Sequence, residues 1–305
     1  MQRFKSILFS PLGRHDNPAA LRRVVDLAQR NHATITLFSA AAEPPKARRF
    51  LRHRDIVDHL AAADRGEEQH RLSRLASQCG ADGADIVIEP GNTALTLIMR
   101  VLTAGHDLVV VTTDDDREDN ATIKRLLRKC PCPVWVVRPT RARKLRVLAA
   151  VDPDPDEAEL NRAILELAAS TVDLYGGELH VAHAFELFAE HLMRSPRYGA
   201  MSDAEIDGLR DEERADRYRD LMHLLAPSQS AGAHWQIHVV QGSAPEVIIE
   251  LVTRHRINLL VLGTVARSGL SGLLMGNTAE RILDTVTCSV IAVKPPGFIS
   301  PIATR

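Results

Sequence analysis

Residues 122–139, TIKRLLRKCPCPVWVVRP, align without a gap on residues 278–295, TAERILDTVTCSVIAVKP. Seven positions are identical, among them Thr122/Thr278, Leu127/Leu283, Cys132/Cys288, Val137/Val293 and Pro139/Pro295. Each copy reads as a short helix running into an apolar strand that stops at a basic residue and a proline. A repeat that spans half a chain signals a duplicated domain, because solenoid units recur every ~20–50 residues. The 305-residue chain is therefore expected to fold as two like domains, each long enough to bury its own core.

Two more segments repeat, and the shifts between them locate the changes. Residues 24–28 match 164–168 at an offset of 140, residues 91–110 match 242–261 at 151, and the final helix–strand unit matches at 156. The second half has thus gained eleven residues before Gly242 and five more just after Val261. Those five fall within 263–277, GTVARSGLSGLLMGN, where the first half has only TTDDDREDNA at 112–121, with no glycine.

Strand-like and helix-like stretches alternate in both halves. In the first, strands are expected at 6–10, 35–39, 86–88, 108–112 and 134–138, with helices opening at Asn17-Pro18 and over 51–77, 93–103 and 122–129. Asparagine is a good N-cap, and proline at the first helical position lacks only an amide that would go unpaired anyway. Leu21, Val24, Val25 and Ala28 then follow helical spacing. The second half repeats this order, with strands at 146–151, 178–184, 235–240, 259–263 and 290–294 and helices over 157–170, 203–225, 245–254 and 278–284. Ser202-Asp203-Ala204-Glu205 reads as a capping box. Strands such as LLVL at 259–262 are apolar throughout, as when helices cover both sheet faces. The expected fold is α/β: two tandem doubly wound domains, each with a five-stranded parallel sheet, over 1–141 and 145–297, joined by a short basic linker.

Composition bounds the function. A formal net charge of −1 gives no general attraction to nucleic acid or anionic membrane. No apolar run approaches the ~20 residues that span a bilayer. Met1-Gln2-Arg3-Phe4-Lys5 leads straight into a strand without a secretory signal, so a cytoplasmic protein is expected. Four cysteines make no disulfide framework in a chain of this length. Cys132 and Cys288 open equivalent strands and read as small buried hydrophobes.

In a parallel α/β sheet, ligands bind beyond the C-terminal strand ends, near the switch point. The 263–277 segment sits there. Its glycines admit backbone amides to a phosphate, and the helix that follows contributes free N–H groups and partial positive charge. Ser268, Ser271 and Thr278 offer hydroxyls, and Arg267 a full charge. A dinucleotide fingerprint would follow the first strand instead, where the chain has Pro11-Leu12-Gly13-Arg14 and Asp152-Pro153-Asp154-Pro155, and no phosphate-loop string ending in Gly-Lys-Ser/Thr exists.

The segment resembles the G-x2-G-x9-G-[ST] loop of the universal stress protein family, whose domains share the adenine-nucleotide α-hydrolase-like fold. The tandem bacterial members match best, over essentially the whole chain. Gly263-Thr264-Val265, Gly276-Asn277-Thr278-Ala279-Glu280 and Leu126-Leu127-Arg128-Lys129-Cys130-Pro131 carry the resemblance. It implies a stress-response protein, ligand-binding or regulatory, that holds ATP or ADP with Mg in its C-terminal domain. Asp152 and Val181 would contact adenosine, and Gly263, Ala266, Gly276, Asn277 and Thr278 would surround the phosphates. Two departures stand out: the second motif glycine is Ala266, and Asn277 replaces the hydroxyl residue, with Thr278 one place later. In the first half Leu12 holds the aspartate position and the loop is missing. No nucleotide site is expected in 1–141, and Asp114-Asp115-Asp116 with Glu118-Asp119 reads as a solvated acidic turn.

Other readings stay open beside this one. The loop is either a nucleotide site or a connection left from a nucleotide-binding ancestor, and Asp152 either a ligand contact or a helix cap. The rival functions are a nucleotide-free interaction protein, a binder of another small or lipidic ligand, and a weak ATP hydrolase. No catalytic constellation is legible. His180 and His183 point to opposite strand faces, and His234 and His238 to one face, a weak basis for a metal site. The basic run at 46–54 lacks interleaved aromatics and reads as a solvated helix end. The last strand of each half would be an exposed edge. In related single-domain proteins these strands pair between subunits, so intramolecular pairing is expected here, with homodimerisation a weaker expectation.

Overall fold

The computed structural model describes residues 3–13, 15–41, 43, 54–114, 117–140, 142, 144–226, 235–264 and 276–302. They fall into two compact units, one of residues 3–139 with 298–302, the other of residues 140–264 with 276–297. The central stretch of the 263–277 loop, including Ala266, Arg267, Ser268 and Ser271, lies outside the described residues, as do His234, Asp115, Asp116 and positions 46–53.

In the first unit the elements run β1 (Ser6–Pro11), α1 (Pro18–Asn31), β2 (Thr34–Ala41), α2 (Arg54–Cys79), β3 (Asp85–Pro90), α3 (Thr93–Ala104), β4 (Leu108–Thr112), α4 (Arg117–Lys129) and β5 (Val134–Val137). All neighbours are parallel, in the order β3-β2-β1-β4-β5. The chain steps from β1 through β2 to β3, then jumps back across β1 to β4. Since crossovers are right-handed, that reversal sends α1 and α2 to one face and α3 and α4 to the other. Accordingly α1 packs on α2, and α3 on α4. The central strands β1 and β4 are buried on both sides, with Ile7, Leu8, Phe9, Val109, Val110 and Val111 fully enclosed.

The start of α1 is as its sequence predicts. Asn17 Oδ1 accepts from the amide of Ala20 at 3.0 Å, and Leu21, Val24, Val25 and Ala28 face the core. Within the acidic turn Asp114 and Glu118 are exposed as expected, but Asp119 is not. Asp119 is only 5% exposed; its Oδ2 accepts from Thr113 Oγ1 at 2.8 Å and from the Asp114 amide at 3.0 Å. A carboxylate in a first turn also meets the positive end of the helix. This pulls the start of α4 back to Arg117, five residues before the expected 122.

The second unit runs β6 (Arg146–Ala150), a 3₁₀ turn (Pro155–Glu157), α5 (Ala158–Tyr175), β7 (Glu178–Phe185), α6 (Glu190–Met193), a second 3₁₀ turn (Pro196–Tyr198), α7 (Asp203–Leu225), β8 (Trp235–Gln241), α8 (Ala244–Arg254), β9 (Leu259–Gly263), α9 (Asn277–Thr285) and β10 (Ser289–Val293). Its strand order, β10-β9-β6-β7-β8, is the same topology again. The fold is therefore two tandem five-stranded parallel α/β domains. The capping box at α7 forms in full: the Glu205 amide donates to Ser202 Oγ at 3.3 Å and the Ser202 amide to Glu205 Oε2 at 2.8 Å. Short α6 and the turn after it were not legible, since four residues carry no periodicity.

Candidate functional site

β6 and β9 are neighbours, yet the chain leaves them in opposite directions. Their C-terminal ends therefore splay around a crevice, as doubly wound sheets do at the reversal. The crevice is a cavity of ≈ 480 Å³. Val151 and Asp152 line it from the end of β6, Ala182, His183 and Ala184 from β7, Leu262 and Gly263 from β9, and Gly276, Asn277 and Thr278 from the start of α9. Leu160, Ile164, Ile248 and Ile282 make much of the remaining wall apolar. A mostly apolar pocket with a few convergent polar groups is the usual form of a small-ligand site.

Asp152 is held by its backbone. Asn161, on the second turn of α5, accepts from the Asp152 amide at 3.1 Å and donates its Nδ2 to the Asp152 carbonyl. Asn161 is 2% exposed, so the pair fixes where the aspartate side chain leaves the sheet. The 3₁₀ turn that follows is capped by Asp154, whose Oδ1 accepts from the Asp156 amide at 3.0 Å.

His183 is the polar group that sequence reading missed here. It is 5% exposed; its Nδ1 lies 3.3 Å from the Val151 carbonyl, and its Nε2 has no hydrogen-bond partner among the described residues. Burial, the largest influence, holds its pKa below the ordinary 6.5, against a smaller upward pull from the Val151 carbonyl. Glu157, also in the lining, has its pKa raised by burial and then by Asp154 and Asp156.

The other expected positions sort as follows. Val181 is fully buried and pairs in register with Ala149; it stands behind the lining, which begins one residue later at Ala182. Gly263 lines the cavity, but its lack of a Cβ serves packing, since a methyl there would sit 2.7 Å from Leu160 Cδ2. The Gly276 amide was expected to face phosphates. It donates instead to the Thr264 carbonyl at 3.2 Å, and Gly276 is the N-cap of α9 with no side-chain cap bond. Thr264 is in turn gripped by buried Lys294, whose Nζ donates to Thr264 Oγ1 at 2.7 Å.

In the first unit the matching crevice has a different floor. A cavity of ≈ 410 Å³ there is lined by Ser10, Leu12 and Gly13 and by the charged Asp64, Glu68 and Arg71, and the Asp114 carboxylate sits against Gly13, where a Cβ would lie 2.5 Å from its carboxyl carbon. His15 binds the same carboxylate through its amide at 3.2 Å and its Nδ1 at 3.0 Å. On the opposite face of β7 from His183, His180 meets His238 of β8 and His255 at the end of α8. No single stretch of sequence reveals that trio, because it depends on cross-strand register.

Comparison with known proteins agrees with the fold. The family model described as universal stress protein family matches residues 4–138 and again 145–294. Universal stress protein E of Escherichia coli strain K12 is 27% identical over 307 residues, covering 94% of this chain and 93% of that protein. The universal stress protein E homolog of Haemophilus influenzae is 30% identical over 220 residues, 68% of this chain and 69% of its own. Among solved structures, a functionally unknown protein of Pseudomonas aeruginosa PAO1 superposes with a TM-score of 0.68 at 25% identity, covering 99% of this chain and 95% of that one. A putative universal stress protein of Pseudomonas aeruginosa UCBPP-PA14 gives 0.67 at 26% identity, over 99% and 96%. With one such domain in each half, the chain belongs to the universal stress protein family.

Proposed function

We propose that this stress-family protein holds an adenine nucleotide, ATP or ADP, in its second unit as a bound ligand and not as a substrate to be turned over. The observation that supports it most is the ≈ 480 Å³ cavity at the strand reversal, whose lining includes His183, a residue with a buried Nε2 that has no hydrogen-bond partner among the described residues. A buried nitrogen left unpaired costs about 1–3 kcal/mol, and an adenine amino group or a sugar hydroxyl, either of which can donate to it, would recover it. In this reading the strand-two contact passes from Val181 to Ala182, His183 and Ala184. Asp152, oriented by Asn161, faces the nucleoside. Phosphates lie toward the amides of Asn277 and Thr278 and away from Asp152 and Glu157, whose charge would repel them. Gly276 keeps its amide for Thr264.

A second reading is an apolar or lipidic ligand, favoured by the wall of Leu160, Ile164, Ile248, Leu262 and Ile282. Calorimetry with Mg-ATP and Mg-ADP, beside mass spectrometry of whatever co-purifies, separates the two. We expect saturable heat that falls at least about tenfold in affinity for His183→Leu, the loss of one buried hydrogen bond, with no phosphate release. No heat in the wild type and none in Ala266→Gly would sink the nucleotide reading. An extracted acyl chain would put the second in its place.

A further inference from the structure

We propose that His180, His238 and His255 form a binding site for one divalent transition-metal ion of the kind imidazole prefers, Zn²⁺ foremost. Parallel register sets His180 opposite Gln236 and Ala182 opposite His238. His238 is therefore the diagonal neighbour of His180 on the same sheet face, and the small Ala182 beside it leaves room over the strands. His255 ends α8, where its amide closes the helix on the Leu251 carbonyl at 3.0 Å, and α8 packs on β7. Three elements thus deliver three imidazoles to one point.

The distances suit a cation. The ring centroids lie 5.2, 4.9 and 4.7 Å apart. Nδ1 of His180 is 3.0 Å from Nε2 of His238, and one ligand nitrogen from each of the three rings lies within 4.8 Å of the others. Nitrogens bound tetrahedrally to Zn²⁺ at ~2.0–2.1 Å are about 3.3 Å apart. The His180–His238 pair already stands at that spacing. His255 needs to move in by no more than about 1.5 Å, and it is half-buried at a helix end, where a side chain can turn. Solvent reaches the site past His238 and His255, so water completes the fourth position, as in three-histidine zinc sites.

The plainer reading is three core rings that merely stack. In that reading the two facing nitrogens of His180 and His238 share a single proton, whereas a metal would take both lone pairs; the buried Nε2 of His180 lacks a partner among the described residues in either case. His180 itself is 2% exposed. Among the described residues no carboxylate joins the cluster. Glu178, the acid that acts on His180, is tied to Lys144 at 2.6 Å and Arg146 at 3.0 Å. Burial lowers the pKa values of both His180 and His238. The guanidinium groups of Arg146 and Arg254 act on the same rings; they oppose a cation and limit its affinity. Donors that are all imidazole select Zn²⁺, Cu²⁺ or Ni²⁺ over Mg²⁺ or Ca²⁺.

The test uses the full chain after chelator treatment, with Zn²⁺ for calorimetry and thermal unfolding and Co²⁺ as the optical probe. We expect one ion per chain, a rise in Tm with added Zn²⁺ because binding favours the folded state, and a tetrahedral Co²⁺ visible spectrum without a thiolate charge-transfer band. His238→Ala and His255→Ala alter half-buried positions and should leave the fold intact. Each should weaken Zn²⁺ by at least about tenfold, since loss of even an outer-shell partner costs that much. His183→Ala, on the other strand face, should leave Zn²⁺ binding unchanged. Absence of binding in the wild type overturns the proposal. So does binding that survives both variants, or a thiolate band, which would move the ion to a cysteine pair such as Cys130 and Cys132, whose sulfurs are 3.6 Å apart.

Discussion

Gly263 and Gly276 bracket the same loop and do different work. Gly263 lets α5 approach β9, because Leu160 occupies the space its Cβ would need. Gly276 has φ −62° and ψ 140°, a conformation open to any residue, and contributes its amide to loop closure. Gly263→Ala should therefore cost about 1–3 kcal/mol by overpacking, measurable by urea unfolding, and Leu160→Ala in the same chain should return part of it. A loss that Leu160→Ala leaves untouched would assign Gly263 to the ligand after all. The glycines were legible in the sequence; their separate reasons were not, because those depend on what packs opposite. Asn161 and His183 were invisible for the same cause. One is a helix residue whose partner is a backbone nine positions earlier, the other an alternating strand residue whose unpaired nitrogen exists only once the sheet is built.

Elements were read more securely than side-chain roles, and their caps explain why. The Ser202–Glu205 box forms as its spacing requires, and the first residue of α7 is the expected 203. Ser202→Ala should destabilise the protein by about 1 kcal/mol, and Glu205→Ala made on top of it should add little, since each half of the box needs the other. Equal, additive losses in denaturant midpoint would contradict that coupling. Where no local cap advertised itself, the sequence reading was late, as at α4. There the determining contact runs from Asp119 back to Thr113 and Asp114, a bond that spacing alone does not announce.

At the scale of the whole molecule, duplication made the architecture legible: two copies of one strand order explain each other. The copies share a liability in acid. His106 in the first unit and His183 in the second are buried, and burial is the leading cause that holds both pKa values below 6.5. The unfolded chain takes up protons on these rings near 6.5, while the folded chain does so only at lower pH. Between those values the unfolded state binds more protons, so stability falls as pH drops through 6.5. Tm followed from about pH 7.5 to about pH 5 should decline, and His106→Gln and His183→Gln should each flatten the decline. Unchanged slopes in both variants would mean that these rings do not carry the effect. This sensitivity is not legible in the sequence, because thirteen histidines look alike until burial separates them.

The bond from the Gly276 amide to the Thr264 carbonyl joins the two shores of an eleven-residue excursion, 265–275. Strand β9 and the start of α9 are thereby joined directly by a backbone hydrogen bond. For a flexible segment with fixed ends, doubling the length costs only about 0.6 kcal/mol. With its ends held by this bond, the 265–275 sequence can change in length or charge at small cost to the strand and the helix that it connects. The tether makes that stretch an exchangeable cassette, and a lineage that keeps Thr264, Gly276 and Lys294 is free to try new ligands on an old scaffold.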